Sequence, residues 1–288
     1  SEPGVALQQL VRHVIDDDLV GYARAAVPPD RYTRLATAWS QGHSRWPLVQ
    51  LPLSDRLLPV LQTFAQPGSE KALMASFDRQ LGGQAGSVRQ AAQTLGQFGV
   101  QYVRSEHAYS PAQREHYVQL LGALSQWAAQ APLTDRKRAQ SSVTLLAAAA
   151  RQAGLDSDQA LQDAGMEGSL RRLGPVGHTV KSALAAYGLP VDTILEGMEI
   201  ETSEQKGDHA LLLVRYTVSG QQVAMQVRMQ RMDGHWYPSG TLEAVDSLLQ
   251  EAERAEAQRA EAMRAEAMPP PAEAVDDGGQ DASTPAKP

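Results

Sequence analysis

The chain has 288 residues with 33 acids, 26 bases and a formal net charge of -7, so nothing in its charge balance points to nucleic acid. Apolar residues make up 42% and charged ones 20%, which permits a packed core and excludes a globally disordered chain. No cysteine is present, which excludes disulfides, thiolate metal sites, iron–sulfur clusters and a cysteine nucleophile. The charge is uneven. Residues 251–288 hold nine acids and four bases, leaving 24 acids and 22 bases in the rest. The body is therefore nearly neutral, with no long-range field to steer a charged polymer. No apolar run approaches the roughly 20 residues that span a bilayer. The chain starts at Ser1-Glu2-Pro3 rather than Met, from which a mature exported protein is expected, periplasmic or anchored through a lipidated Cys upstream of Ser1. A cytoplasmic location is the alternative.

The N-terminal half reads as helices. Leu7, Leu10, Val11, Val14 and Ile15 recur at helical spacing, as do Tyr32, Leu35, Ala36 and Trp39 after Pro28-Pro29, with Gly42 as a stop. Pro47, Pro52 and Pro59 predict a bent connection with a short helix around 55–65. Ser69 reads as an N-cap for Leu73, Met74 and Phe77, and Gly82-Gly83 as the end of that helix. Val88, Ala91, Ala92, Leu95, Tyr102 and Val103 predict a longer helix over 85–104. Ser110-Pro111-Ala112-Gln113 is a capping box with Pro at the first helical position, ahead of a stripe of Tyr117, Leu120, Leu121, Leu124 and Trp127. After Pro132 and Thr134, Val143, Leu146, Ala147 and Ala150 line a helix closed by Gly154. Shorter helices are expected around 157–164 and 175–187, the second ended by Gly188 and Pro190.

Near residue 196 the period changes to two. Met198, Ile200 and Thr202 alternate with acids; Ala210, Leu212, Val214, Tyr216 and Val218 form one face of a second run; Val223, Met225, Val227 and Met229 form one face of a third. Ser219-Gly220 is a turn signal, and Asp233-Gly234 is a two-residue turn signal of the kind that needs positive φ. An antiparallel meander follows, whose polar face sees water or a pocket. In Arg231-Met-Asp-Gly-His-Trp-Tyr-Pro238, Trp236 and Tyr237 point to opposite faces, and Trp236 is expected in the core. Thr241 is a candidate cap for a helix carrying Leu242, Val245, Leu248 and Leu249. It runs into Arg-Ala-Glu-Ala repeats at 254, 259 and 264, which advance about 140° per copy and make no coiled-coil stripe.

The fold class is therefore α+β and predominantly helical. Residues 1–131 are expected as a helical domain and 132–250 as an α+β domain with the meander over about 196–238. A charged Ala/Glu/Arg helix over 251–268 and a disordered tail over 269–288 are expected to follow.

Chemical motifs are weak. Gly42-His43-Ser44-Arg45-Trp46 lacks the final Gly of a nucleophile elbow, and Ser203-x-x-Lys206 lies between strands, where the pair is not juxtaposed. Asp16-Asp17-Asp18 reads as a helix start rather than a cation site. Glu106, His107, Glu115 and His116 flank a turn without a metal-binding spacing, and Gly82-Gly83-Gln84-Ala85-Gly86 lacks the strand and the Lys of a phosphate loop. Arg136-Lys137-Arg138 is the one basic cluster. No catalytic residue, metal or cofactor is expected. The segment from Leu195 to Tyr237, with Gly-Asp-His-Ala-Leu-Leu-Leu-Val-Arg-Tyr and Asp-Gly-His-Trp-Tyr, resembles exported bacterial domains of the NTF2-like and cystatin-like kind. The resemblance implies helices on a curved sheet closed by the Trp; domains of this kind include enzymes as well as binding proteins, and no catalytic residue is carried over from it. The expected function is non-enzymatic binding of a protein partner or small ligand in the cell envelope, with Tyr216, Arg228 and Tyr237 as candidate contacts. An envelope hydrolase with a dispersed site and a cytosolic helical adaptor are the alternatives.

Overall fold

The computed structural model describes residues 2–273, with 278 and 286. Among these the chain forms eleven α-helices, two 3₁₀ turns and four strands, an α+β fold dominated by helix. The helices are α1 (Pro3–Ile15), α2 (Leu19–Ala26), α3 (Pro29–Ser40), α4 (Leu57–Ala65), α5 (Ser69–Gln80), α6 (Ala85–Ser105), α7 (Pro111–Gln130), α8 (Arg136–Ala153), α9 (Asp158–Ala186), α10 (Val191–Glu196) and α11 (Ser239–Ala267). The strands are β1 (Glu199–Lys206), β2 (His209–Val218), β3 (Gln221–Met232) and β4 (His235–Pro238). The strands pair as an antiparallel meander in the order β1-β2-β3-β4.

Turn chemistry sets the sheet. Ser219 and Gly220 stand at φ 50° and 75°, Asp233 and Gly234 at 50° and 80°, so both two-residue turns take positive φ at both positions. That backbone matches the right-handed twist of the flanking strands. The register puts Ala210, Leu212, Val214 and Tyr216 opposite Met229, Val227, Met225 and Val223 on one face. This face is covered. Leu7 and Leu10 of α1, Trp39 of α3, Leu170 and Leu173 of α9, and Val245 and Leu249 of α11 join Leu212, Val214 and Trp236 in the main apolar cluster. The cluster thus draws side chains from both sides of residue 132. A second cluster at the far end of the sheet joins Tyr216, Val218 and Val223 to Ala123 of α7 and to Leu189.

Several local expectations are corrected. Trp236 and Tyr237 do lie on opposite faces, yet both are buried. Trp236 enters the main core, while Tyr237 pairs with Gln230 across the sheet, and burial, with the charges of Asp233 and Asp30, pushes its phenol pKa up. Ser69 is the first residue of α5 rather than its cap; the cap is Gly68 in the left-handed region, and Ser69 Oγ donates to Phe64 O at 2.7 Å. Thr241 caps nothing, because α11 already starts at Ser239. Pro175 does not open a helix. It sits inside α9, whose break lies at Gly165 (φ 75°, ψ 172°). An interior Pro costs about 3 kcal/mol, but Met166, Leu170, Leu173 and Val176 form a continuous buried face that offsets it. Leu161 O, in the turn before the break, accepts from Trp39 Nε1 at 2.8 Å and Ser169 Oγ at 3.1 Å. Helix α10, one and a half turns long, was not legible in the periodicity.

The charged helix expected over 251–268 is the continuation of α11. Arg31 with Asp246, Arg34 with Glu253, and His43 with Glu256 clamp this helix along its length. Residues 257–267 are exposed on every side and run on as a helical stalk. Most of the tail expected beyond 269 lies outside the described residues.

Candidate functional site

The three candidate contacts do not converge. Tyr216 is on the covered face, and its hydroxyl lies 2.7 Å from His116 Nε2. Burial pushes the Tyr216 phenol up to about 12 and pushes the His116 imidazole down. The neutral pair therefore has Tyr216 donating to Nε2, and its position ties α7 to the sheet. Arg228 is exposed on the opposite face, across from Leu211, and among the described residues it makes no ion pair. Tyr237 is buried.

The other motifs are absorbed by structure. Ser44 is buried and its Oγ accepts from Trp46 N at 3.1 Å, so it is held as a turn residue. Ser203 sits at the irregularity in β1, whose extended backbone keeps it away from Lys206. Asp18 caps α2 through Gly21 N at 2.9 Å. Glu106 accepts from Ala108 N and Glu115 from Gln119, while His116 holds Tyr216. Among the described residues no three His, Asp or Glu side chains group as a metal would require. Arg136 pairs with Asp78 and Arg138 with Asp135, which uses two charges of the basic cluster.

One His–carboxylate pair borders a cavity of about 470 Å³. His178 Nδ1 lies 2.9 Å from Asp17 Oδ2. The other oxygen of Asp17 is held by Lys181 Nζ at 2.8 Å, and His178 is 68% exposed. Among the described residues no Ser or Thr hydroxyl is hydrogen-bonded to His178. The pair has a base and an orienting acid without a nucleophile, so it lacks the constellation of acyl transfer.

The surface that stands out is α6. Among the described residues this helix packs chiefly on α7. Its small side, Ala92, Gly96 and Gly99 with Val103, meets α7. A Cβ at Gly96 would come within 1.9 Å of Ser125 Oγ, and one at Gly99 within 3.3 Å of Leu121. These glycines set how close the two helices lie. On one flank of the contact runs a groove of about 610 Å³ edged by Gln93, Gln97, Gln101 and Arg104. On the other flank lie Leu95, Phe98 and Tyr102, which are 71%, 66% and 61% exposed. At about 100° per residue the apolar arc of α6 spans roughly 160°, and α7 covers only the small half.

No family model, no curated protein and no solved structure matches this chain. The assignment of function therefore rests on the geometry alone.

The pattern Val88, Ala91, Ala92, Leu95, Tyr102 and Val103 places Leu95 and Tyr102 on a helix over 85–104 without saying what their face meets, and it omits Phe98. A signal that one neighbour does not cover that face was present. An apolar arc holding two glycines beside three large side chains is too wide for one neighbouring helix, and α6 contains no acid over its 21 residues.

Proposed function

We propose that this chain is a non-enzymatic protein that works by binding another polypeptide, and that the outer face of α6 is its contact surface. The observation that carries this reading is the exposed row Leu95, Phe98 and Tyr102 on a helix otherwise anchored to the body. Single exposed apolar residues are ordinary; a row of three large ones at helical spacing is the form that a helix or groove of a partner recognises. The exported cell-envelope setting is part of the same proposal. So is the NTF2-like or cystatin-like character of the sheet region, supported by the four-strand meander with helices on one face and Trp236 beneath it.

Co-purification of the C-terminally tagged chain from the fractionated source organism tests this. With crosslinking in the cell before lysis, the expected result is an adduct of the wild-type chain with a second polypeptide, another copy of the chain included, that is lost with the double variant Phe98→Glu/Tyr102→Glu. Equal recovery with both forms would contradict it, and the fraction that holds the protein tests the envelope setting. A second reading, a small ligand on the open sheet face, is favoured by exposed Arg228 beside half-buried Leu211.

A further inference from the structure

The outer face of α6 carries its own complement. Val88, Ala91, Leu95, Phe98, Tyr102 and Ser105 follow one another at steps of three, four, three, four and three. That is the a/d spacing of a coiled-coil seam, sustained over nearly the whole of α6. We infer that the occupant of this face is α6 of a second copy of the chain, running antiparallel. In the register that centres the seam between Leu95 and Phe98, Leu95 meets Phe98 of the second copy, Ala91 meets its Tyr102, and Val88 meets its Ser105. Each large side chain in the outer layers then faces a small one. Parallel pairing would set Tyr102 against Tyr102 and leave Ala91 facing Ala91, a clash beside a void. The inference rests on the reading of α6 as a contact surface and names its partner.

Charge agrees with self-pairing. The exposed flank of the seam carries Ser87, Thr94 and Gln101, all uncharged. Arg89 and Arg104 are the charged residues of α6, and both lie more than about 90° round the helix from the seam. Within α6 no like charges meet when the face is brought against its copy, and by two-fold symmetry every contact is made twice. The surface is modest. Its side chains present roughly 500 Å² per chain, against about 800 Å² per partner in a standard stable interface. The dimer is therefore weak and dissociates on dilution.

The absence of cysteine makes a clean test, since any disulfide must come from an introduced residue. Ala91→Cys and Tyr102→Cys variants of the full chain are mixed and oxidised. The antiparallel seam predicts a mixed Ala91→Cys/Tyr102→Cys disulfide in excess over either homodimer. A predominance of the homodimers, or no crosslink, overturns it. Sedimentation of the cysteine-free chain up to about 100 µM should show a monomer–dimer equilibrium that Phe98→Glu weakens by about tenfold or more. A monomer throughout overturns the self-pairing. A photo-crosslinker at position 98 in the source organism separates the two claims. An adduct with a different protein leaves α6 as a contact surface and removes the second copy; no adduct removes both.

Discussion

At the scale of single residues, three polar groups hold elements together and each makes a measurable demand. The Tyr216–His116 bond joins β2 to α7. Tyr216→Phe leaves His116 Nε2 unpaired and partly buried, and is expected to cost about 1–2 kcal/mol in denaturant titration. His116 also makes stability depend on pH. Burial holds its imidazole below the ordinary value, near 6.5 in an unfolded chain, to within about a unit. As pH falls from there, the unfolded chain takes up the proton before the folded one does. Stability is therefore intact above that value and lost as pH falls through the lowered folded pKa. His116→Gln keeps an acceptor for Tyr216 and removes the titration, so the variant should lose less stability than wild type between neutral pH and pH ~5. Lys181 joins α9 to the end of α1 and to α10. Its Nζ donates to Val14 O at 2.7 Å and Ile15 O at 3.1 Å, and lies 2.8 Å from Asp17 and 2.7 Å from Asp192. Desolvation lowers its pKa, but the two carboxylates outweigh that and the net shift is upward. Lys181→Ala strands those groups and is expected to cost roughly 2 kcal/mol, less than the loss for a fully buried pair because the side chain is still partly solvated.

At the scale of elements, the α6–α7 hairpin is set by small residues. Gly96→Ala drives a methyl group into Ser125, where Cβ would meet Cβ at 2.8 Å even after the hydroxyl rotates away. It should lower the unfolding midpoint. Gly122→Ala, also on this hairpin, meets nothing within 4 Å and should raise stability by up to about 1 kcal/mol through helix propensity. The opposite signs of two Gly→Ala changes on one hairpin, read by urea titration, check that α6 lies where the geometry puts it. Two turns and one cap were legible in advance for a physical reason, unlike the caps expected at Ser69 and Thr241. Asp233-Gly234 and Ser219-Gly220 specify positive φ, and Ser110 with Gln113 specifies a reciprocal cap seen as two bonds of 3.1 and 2.9 Å. These are local interactions, and local sequence encodes them. Pro175 inside α9 and the burial of Tyr237 depend on what packs across from them, which no window of sequence contains. The exposure of Leu95, Phe98 and Tyr102 escaped for the same reason: periodicity marks an apolar face without saying whether anything covers it.

At the scale of the whole molecule, a helical shell covers one face of the sheet, and two features project from it. One is the end of α11. Truncation after Ala257 removes exposed residues beyond the Glu256 clamp and should leave the thermal midpoint nearly unchanged, within about 0.5 kcal/mol of stability. Truncation before Val245 also removes Leu249 from the main core and should abolish cooperative unfolding. The other is α6, held on the body through α7, which carries the proposed contact surface. The fold class could be read from the change of period near residue 196. The proposed contact surface could be read only in part: the width of the apolar arc of α6 is in the sequence, whereas the lack of a covering element over its outer half among the described residues is not. The most direct test of that surface is site-specific photo-crosslinking in the source organism, with the probe at Phe98, at Tyr102 and, as a control, at Leu145 of α8, which is 55% exposed. Polypeptide adducts at positions 98 and 102, and none at 145, are the predicted result. Adducts at 145 alone, or at none of the three, would contradict the account.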